Sequence, residues 1–323
     1  MNQRTQNSEL GALRSALSKK IRNMATKKIE TEKKPRTKKK VKAENVENAA
    51  AMQQSTGQQA IEPLVFPLDE KVVVVINFNT PELTEAAIMS VKKHGGENYK
   101  FVVFDNSATV DYPEGQGLPS RHYDVRPFTK EMENVTVIDN TKGQIIDFAA
   151  ELAKYPDKNA NHSACNDWGS TKHIMTVQKL WELIPNGFVL LESDVLVRKS
   201  IDDMFDRSRG VIGHVQEHQP GNPFGIGRLM PLLCWMNVPM LVKCGAKYFD
   251  PDRSWMLWPE EYDRRNWYDT GACLLEDVKS HMNGLNGTAI DIRPMMVHKQ
   301  SGSWQNKVFT NEQWLKMNEP YWK

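Results

Sequence analysis

The stretch that decides the fold is Val72–Leu83, which reads VVVVINFNTPEL. Its first five residues form a continuous β-branched run, which is typical of a strand buried on both faces of a parallel sheet. A helix start follows, because Thr80 stands at the N-cap, Pro81 at the first helical position and Glu82 in the first turn. The helix is expected to end at Gly95–Gly96, so the stretch predicts a strand followed by a helix.

Further apolar runs follow the same scheme, and each ends in an acidic residue. These are Phe101–Phe104 before Asp105, Val135–Ile138 before Asp139, and Phe188–Leu191 before Glu192. A helix is expected between the last two runs, beginning near Ser170. Strands that alternate with helices predict an α/β fold, a mostly parallel sheet flanked by helices, with its ligand crevice at the carboxyl ends of the strands.

Charge divides the chain into two parts. Residues 1–60 hold 14 Lys and Arg against 5 Glu, a balance of +9, and the remainder holds 28 basic and 35 acidic residues, a balance of −7. We therefore predict a disordered basic tail over residues 1–62 and a single folded domain over residues 63–323. A solvated tail, a peripheral contact with anionic membrane and attraction to nucleic acid stay open for the tail. The acidic body gives no reason to expect a specific nucleic-acid partner.

Cysteine spacing and hydropathy bear on the compartment. The four cysteines (Cys165, Cys234, Cys244 and Cys273) form no CxxC pair, which favours buried thiols over a disulfide framework or a zinc site. No run approaches the roughly 18 apolar residues of a membrane span, and the sequence shows no secretory signal pattern. A cytoplasmic location is the expectation.

The segment Glu192–Asp194 (ESD) is the strongest candidate for chemistry. Two carboxylates at positions i and i+2 of an extended segment point to the same side. They would repel each other in a crevice unless a cation lay between them, and hard oxygen ligands suit Mg²⁺ or Mn²⁺. An ordinary polar strand end is the alternative for so short a motif.

Taken together, these pieces resemble GT-A-type (Rossmann-like) glycosyltransferases, close to the family 2 type of surface-polysaccharide synthesis, over about residues 70–305. The matching pieces are VVINFNTPEL at the first strand, VFDNS at the second, the Gly169-Ser170 helix start and Glu192–Asp194 as the DxD-type motif. The resemblance implies a metal-dependent transfer, with Mn²⁺ or Mg²⁺, of a sugar from a UDP- or GDP-linked donor. The acceptor would be a glycan, a lipid-linked or another hydroxyl compound, and the transfer would proceed with inversion.

The resemblance also implies roles for residues near the strand ends. Asn79, Thr80 and Asp105 are expected to hold the base and ribose of the nucleotide. Asp194 is expected to bind the metal, whereas Glu192, which replaces the usual Asp, binds either the ribose or a metal-bound water.

Residues after the last core strand complete this expected site. His298 is expected as a further metal ligand, with a structural histidine as the alternative, and Lys299 with the loop Ser301–Ser303 is expected to cover the diphosphate. Ser170 and Lys172 lie at a helix start, where free N–H groups favour anions, so they are expected to contact the diphosphate or the sugar.

A second helix start supplies the candidate general base. Thr270 is expected to cap a helix that begins at Gly271, which places Asp269 just before the helix. The resemblance implies a carboxylate there that deprotonates the acceptor hydroxyl. The pair Glu276–Asp277 is the alternative, since the same two residue types occur as the Glu-Asp pair of the family.

Two other functions remain open from the sequence. A sugar nucleotidyltransferase would carry a Gly-rich basic loop after the first strand, and Asn77–Pro81 has none. A non-catalytic interaction protein could retain this fold with the tail as its working part, and absence of both metal and nucleotide binding would favour it.

Overall fold

A computed structural model describes most of the domain that the sequence predicts. The described residues are 61–96, 98–112, 121–154, 168–217, 227–253, 270–280, 287–299 and 309–323. Residues 1–60 of the predicted tail lie outside these ranges. Ile61 and Leu64 pack against the core, and the Leu64 backbone N–H donates to the Leu183 carbonyl at 2.7 Å.

The first strand and helix form where the sequence predicts them. Strand β1 is Lys71–Asn77 and helix α1 is Pro81–Gly95. Thr80 precedes the helix, but its side chain makes no capping hydrogen bond. Its hydroxyl instead lies 3.3 Å from the hydroxyl of Ser193. The helix start is confirmed, and the hydroxyl faces the segment Glu192–Asp194.

The remaining elements follow in chain order. The strands are β2 (Tyr99–Asp105), β3 (Val110–Tyr112), β4 (Arg121–Tyr123), β5 (Val135–Asp139), β6 (Phe188–Glu192), β7 (Val195–Val197), β8 (Val211–Gln216), β9 (Arg228–Met236), β10 (Thr288–Ala289) and β11 (Met296–His298). The helices are α2 (Phe148–Ala153), α3 (Trp168–Leu183), α4 (Val238–Lys243), α5 (Ala272–Ser280) and α6 (Asn311–Met317), with 3₁₀ turns at Asp202–Met204, Arg293–Met295 and Glu319–Tyr321. Among the described helices, none combines the length and the apolar character that a membrane crossing needs.

Within the described residues, seven strands form the central sheet in the order β10-β8-β9-β6-β1-β2-β5. Strands β6, β1, β2 and β5 run parallel to one another, as do β8 and β10, whereas β9 runs antiparallel to both β6 and β8. The predicted α/β fold with a mostly parallel sheet is confirmed. The register pairs Asn77 with Asp105 and Asp105 with Asp139, so three strand ends lie in one row.

The core lies on both faces of this sheet. Val72 and Val74 pack in one cluster with residues of α3, such as Ile174 and Leu180, and Val73 packs in the opposite cluster with residues of α1. Alternate side chains of β1 therefore meet different layers, which explains why the run carries no polar residue.

Helix α5 begins one residue later than the sequence predicts. Gly271 has a φ of 81°, outside the helical range, and the helix begins at Ala272. A Cβ at Gly271 would lie only 2.0 Å from the carbonyl oxygen of Leu229, so this position requires glycine.

Candidate active site

The candidate site lies at the carboxyl edge of the sheet, where the turn Glu192–Asp194 joins β6 to β7. Ser193 is buried at the centre of the turn, with its hydroxyl near that of Thr80. The side chains of Glu192 and Asp194 are 20% and 13% exposed. The turn is thus held against the start of α1 and carries two partly accessible carboxylates.

A short antiparallel ribbon brings His298 to this turn. Strand β11 pairs with β7 so that His298 lies opposite Val195, the residue after Asp194. The backbone N–H of Lys299 donates to the Asp194 carbonyl at 2.9 Å, which continues the pairing by one residue. As a result, Nε2 of His298 lies 3.4 Å from Oδ1 of Asp194. The structure brings the two predicted metal ligands together.

Both carboxylates act on the imidazole of His298. Burial by itself lowers the pKa of His298, but contact with the Asp194 carboxylate and the charges of Asp194 and Glu192 outweigh it and raise the pKa above 6.5. The charge of Glu192 therefore reaches His298, which puts all three groups at one site.

The chemistry of these groups fits a divalent cation with an incomplete protein shell. A carboxylate oxygen beside an imidazole nitrogen suits Mn²⁺, whereas Mg²⁺ prefers oxygen ligands alone. In the part of the chain that the structure describes, no group of three or more His, Cys, Asp or Glu side chains lies close enough to hold a metal. A cation at Asp194 and His298 would therefore take its other ligands from water or from a bound phosphate.

His173 joins this cluster from helix α3. Its Nε2 lies 2.9 Å from Oε1 of Glu192, and its side chain is only 13% exposed. Neither ring nitrogen makes a well-aligned hydrogen bond to a described residue, so the short distance is a close contact without hydrogen-bond geometry. From the sequence, His173 lies near the helix start at Gly169-Ser170, where contacts with diphosphate or sugar are expected; the structure adds its contact with Glu192.

Lys299 follows His298 and is buried beside the turn. The residue is 6% exposed, and its Nζ has no hydrogen-bond partner among the described residues. Burial lowers the pKa of Lys299, although the charges of Asp194 and Glu82 oppose the shift. A buried ammonium without a hydrogen-bond acceptor is costly, so the position favours an anionic ligand.

The predicted nucleotide residues at the ends of β1 and β2 are engaged within the protein. Asp105 is 2% exposed; its Oδ1 accepts from Asn77 Nδ2 at 3.0 Å and from the Ser107 N–H at 2.9 Å, and its Oδ2 accepts from the Phe128 N–H at 2.5 Å. The side chain of Asn79 donates to the Ala108 carbonyl at 2.6 Å. The structure shows a scaffolding role for these side chains; their contact with a nucleotide stays a prediction.

Helix α3 presents Lys172 at its start, and the backbone of Ser170 lies in its first turn. The Nζ of Lys172 lies 5.5 Å from the ring centre of Phe78 and 5.6 Å from that of Phe148. Burial lowers the pKa of Lys172. The lysine packs between two aromatic rings, while the side chain of Ser170 lies outside the described part.

The predicted general base, Asp269, lies outside the described residues, as does the loop Ser301–Ser303. The alternative pair is held by an arginine: Arg253 donates from Nη1 and Nη2 to the two carboxylate oxygens of Asp277, at 2.7 and 3.0 Å, and from Nη1 to Glu276 at 2.8 Å. Asp277 also accepts from the Lys247 N–H at 2.9 Å. These contacts give Asp277 a structural role that ties α5 to the preceding segment.

Sequence reasoning missed one arginine of this region. Arg126, in the loop after β4, forms a two-point ion pair with Glu82 in the first turn of α1, with distances of 3.2 and 2.7 Å. No motif marks Arg126, and Glu82 had been interpreted only as a helix-start acid. The loop that carries Arg126 lies across the ends of β1 and β2, a path that no local sequence signal indicates.

Comparisons with known proteins give structural neighbours only. No protein-family model matches the chain, and no curated protein matches it in sequence. The chain is similar to the structure of the galactosyltransferase LgtC in complex with donor and acceptor sugar analogues, at 16% identity over 69% of this chain and 74% of that chain, with a TM-score of 0.41.

Two mannosyltransferases are also similar in structure. They are Ktr4p from S. cerevisiae in complex with GDP (11% identity, 76% of this chain, 77% of that chain, TM-score 0.38) and PcManGT from Pyrobaculum calidifontis in complex with GDP-Man and Mn²⁺ (12% identity, 76% of this chain, 60% of that chain, TM-score 0.32). At these TM-scores the similarity by itself assigns neither an activity nor a ligand to this chain.

Proposed function

We propose that the chain is a GT-A-type glycosyltransferase that transfers a sugar from a UDP- or GDP-linked donor to a hydroxyl acceptor. The observation that carries the proposal is the pair of Asp194 and His298, 3.4 Å apart, beside the buried ammonium of Lys299. The pair suits a divalent cation, and a diphosphate suits both the cation and the ammonium. A nucleotide sugar supplies such a diphosphate.

The charges of the site favour this class of ligand over a simple anion. Two carboxylates at the turn would repel a phosphate unless a cation lay between them. In the proposal Asp194 and His298 hold Mn²⁺ or Mg²⁺, and Glu192 takes a ribose hydroxyl or a metal-bound water. Lys299 contacts a phosphate oxygen directly, which satisfies its buried Nζ.

The chemistry required of the protein is stabilisation of the leaving diphosphate. The metal, when bound, supplies Lewis-acid stabilisation of the negative charge that develops there. Lys299 adds a positive charge that is largely buried, where such a charge is most effective. Asn79, Thr80 and Asp105 shape the nucleotide side of the crevice, with Ser170 and Lys172 at its sugar side.

The acceptor side completes the proposal. Asp269 deprotonates a hydroxyl of a glycan or lipid-linked acceptor, which attacks the anomeric carbon with inversion. The protein is cytoplasmic in this proposal, and its basic tail contacts an anionic membrane where the acceptor is lipid-linked.

A thermal-shift panel tests the proposal. UDP-, GDP- and CMP-sugars are compared with and without Mn²⁺, because a ligand that binds the native state raises its melting temperature. We expect a shift for one base class that requires Mn²⁺ and is lost in Asp194→Asn. A shift that survives removal of metal would contradict the metal site, and no shift with any donor would favour a non-catalytic protein.

A further inference from the structure

A second cation, Arg126, lies at the start of α1, which faces the turn Glu192–Asp194, and the carboxylate of Glu82 holds it there. Glu82 accepts from Arg126 through both carboxylate oxygens, and its charge acts on Lys299. Glu82 thus holds a half-exposed cation at the first turn of α1, the helix whose start faces the turn Glu192–Asp194. Its Oε1 also accepts from Asn311 Nδ2 at 2.8 Å, which ties the start of α6 to the same point.

The backbone of Arg126 is fixed at the carboxyl edge of the sheet. Its N–H donates to Asn79 Oδ1 at 2.9 Å, and its carbonyl accepts from Ser107 Oγ at 2.8 Å and from Asn77 Nδ2 at 3.4 Å. These partners stand at the ends of β1 and β2. The guanidinium thus starts from a defined position beside the crevice.

The ion pair of Arg126 with Glu82 leaves the arginine available to a ligand. The side chains are 48% and 30% exposed, and ion pairs at such exposure contribute little to stability. A guanidinium presents a planar fork of donors that matches phosphate oxygens, and it is weakly hydrated. The pair uses two of the five guanidinium N–H donors, so Arg126 can donate to a phosphate while Glu82 still holds it.

We propose that Arg126 binds the phosphate of the donor that is distal to the nucleoside, and that Glu82 is a positioning residue that holds the guanidinium beside it. The inference rests on the proposed function, since it takes the ligand to be a nucleoside diphosphate. It assigns a binding role to two residues that no sequence motif marks.

The chain offers a matched control pair. Lys130 forms an ion pair with Glu85, which joins the same loop to the next turn of the same helix. Glu85 lies about one turn further along α1 from the end that faces the turn Glu192–Asp194. Glu85→Gln and Lys130→Gln therefore remove a comparable tie between loop and helix without removing a group from the proposed phosphate site.

The experiment is calorimetric titration of the full chain with UDP, GDP, UMP and GMP in the presence of Mn²⁺. We expect Arg126→Gln to lower the affinity for the nucleoside diphosphate by about tenfold, since a hydrogen bond to a charged group is lost. The affinity for the corresponding monophosphate should stay within about twofold of wild type. Glu82→Gln keeps an oxygen for Asn311 and removes the charge; we expect it to weaken the diphosphate several-fold. Arg126→Lys should fall between wild type and Arg126→Gln, and both control variants should match wild type.

Five results would overturn the inference. An unchanged diphosphate affinity in Arg126→Gln removes the arginine from the site, and a tighter affinity in Glu82→Gln shows that the carboxylate acts only as a repelling charge. Equal losses for mono- and diphosphate, or a lowered melting temperature that accounts for the loss, indicate a structural defect. If wild type binds none of the four nucleotides, the proposed function fails and the inference fails with it.

Discussion

Nε2 of His298 lies 3.4 Å from Oδ1 of Asp194, although the two residues belong to distant parts of the chain. The pairing of β7 with β11 produces this contact: His298 lies opposite Val195, and Lys299 bonds to the backbone of Asp194. The contact is thus set by backbone pairing, which fixes both side chains before any ligand binds.

Removal of either side chain should weaken metal binding and leave the fold intact. We expect Asp194→Asn and His298→Ala each to raise the Mn²⁺ concentration for half-maximal donor binding by roughly tenfold or more. His122→Ala, at an exposed site, serves as the control. Unchanged metal dependence in His298→Ala would leave Glu192 or water as the missing ligand.

The raised pKa of His298 makes metal affinity depend on pH. Mn²⁺ requires the neutral imidazole, so each ion that binds must displace the proton of His298. Affinity should therefore rise with pH from 6 towards and through the raised pKa, and level off above it. Mn²⁺ titrations at pH 6, 7 and 8 check this, and a flat profile would exclude His298 as a ligand.

The raised pKa of His298 also makes the stability of the metal-free protein depend on pH, and this stability falls as the pH rises. Because the pKa of folded His298 lies above its unfolded value near 6.5, its pairing stabilises the fold below that pH. This contribution is lost as the pH rises through the folded pKa. Melting temperatures in EDTA should show a decline there that His298→Gln lacks.

Asp269→Asn should separate binding from chemistry. A general base contributes about 10²–10⁴-fold, so turnover should fall by that order while donor affinity and metal dependence barely change. Donor titrations measure the affinity, and steady-state kinetics with donor and acceptor measure the turnover. If turnover is unaffected, the transfer needs no external base, as expected for retention of configuration.

Asp277→Asn should give a different phenotype, because Asp277 is bound by Arg253 and by the backbone of Lys247. We expect a loss of stability of roughly 1–3 kcal/mol and nearly normal turnover per folded molecule. Denaturant unfolding measures the loss of stability, and single-turnover kinetics measure the turnover per folded molecule. A stable Asp277→Asn variant without turnover would make the pair Glu276–Asp277 catalytic.

Gly271→Ala should destabilise the domain more than Gly245→Ala. Both glycines have positive φ, 81° and 71°, but an added Cβ at Gly245 meets nothing within 4 Å, whereas at Gly271 it meets the Leu229 carbonyl. We expect about 1 kcal/mol for the backbone conformation alone and more than about 2 kcal/mol where the contact adds to it. Equal losses of unfolding free energy would mean that the turn relaxes.

Deletion of residues 1–60 should leave donor binding intact, since that segment lacks a core pattern. If the tail contacts membranes, only activity on a lipid-linked acceptor should fall, and the loss should be larger at low salt. A large drop in melting temperature on deletion would show instead that the tail packs on the domain.

The sequence predicted the four parallel strands and the helices beside them, because their signals are local, but not the pairing of β7 with β11. The valine run of β1 and the proline after Thr80 each act on neighbouring residues, and the structure confirms both elements. The ion pair of Glu82 with Arg126 depends on the path of a loop, and the hydrophobic pattern of the sequence does not predict that path. From its position after a strand, Asp105 can be assigned to the carboxyl edge of the sheet. Its hydrogen bonds cannot be predicted in this way, because they depend on distant backbone such as that of Phe128.

The ribbon of β7 and β11 has a consequence for the order in which the protein matures. A chain grows from its N terminus, so β6 and the turn Glu192–Asp194 leave the ribosome well before Met296–Lys299. Until β11 arrives, the nascent sheet carries two acids without the imidazole and the ammonium that later face them. In the proposed function, metal capture by this pair is thus a late event in biogenesis, and a translation product that ends before β11 would lack both the imidazole and the ammonium of the site.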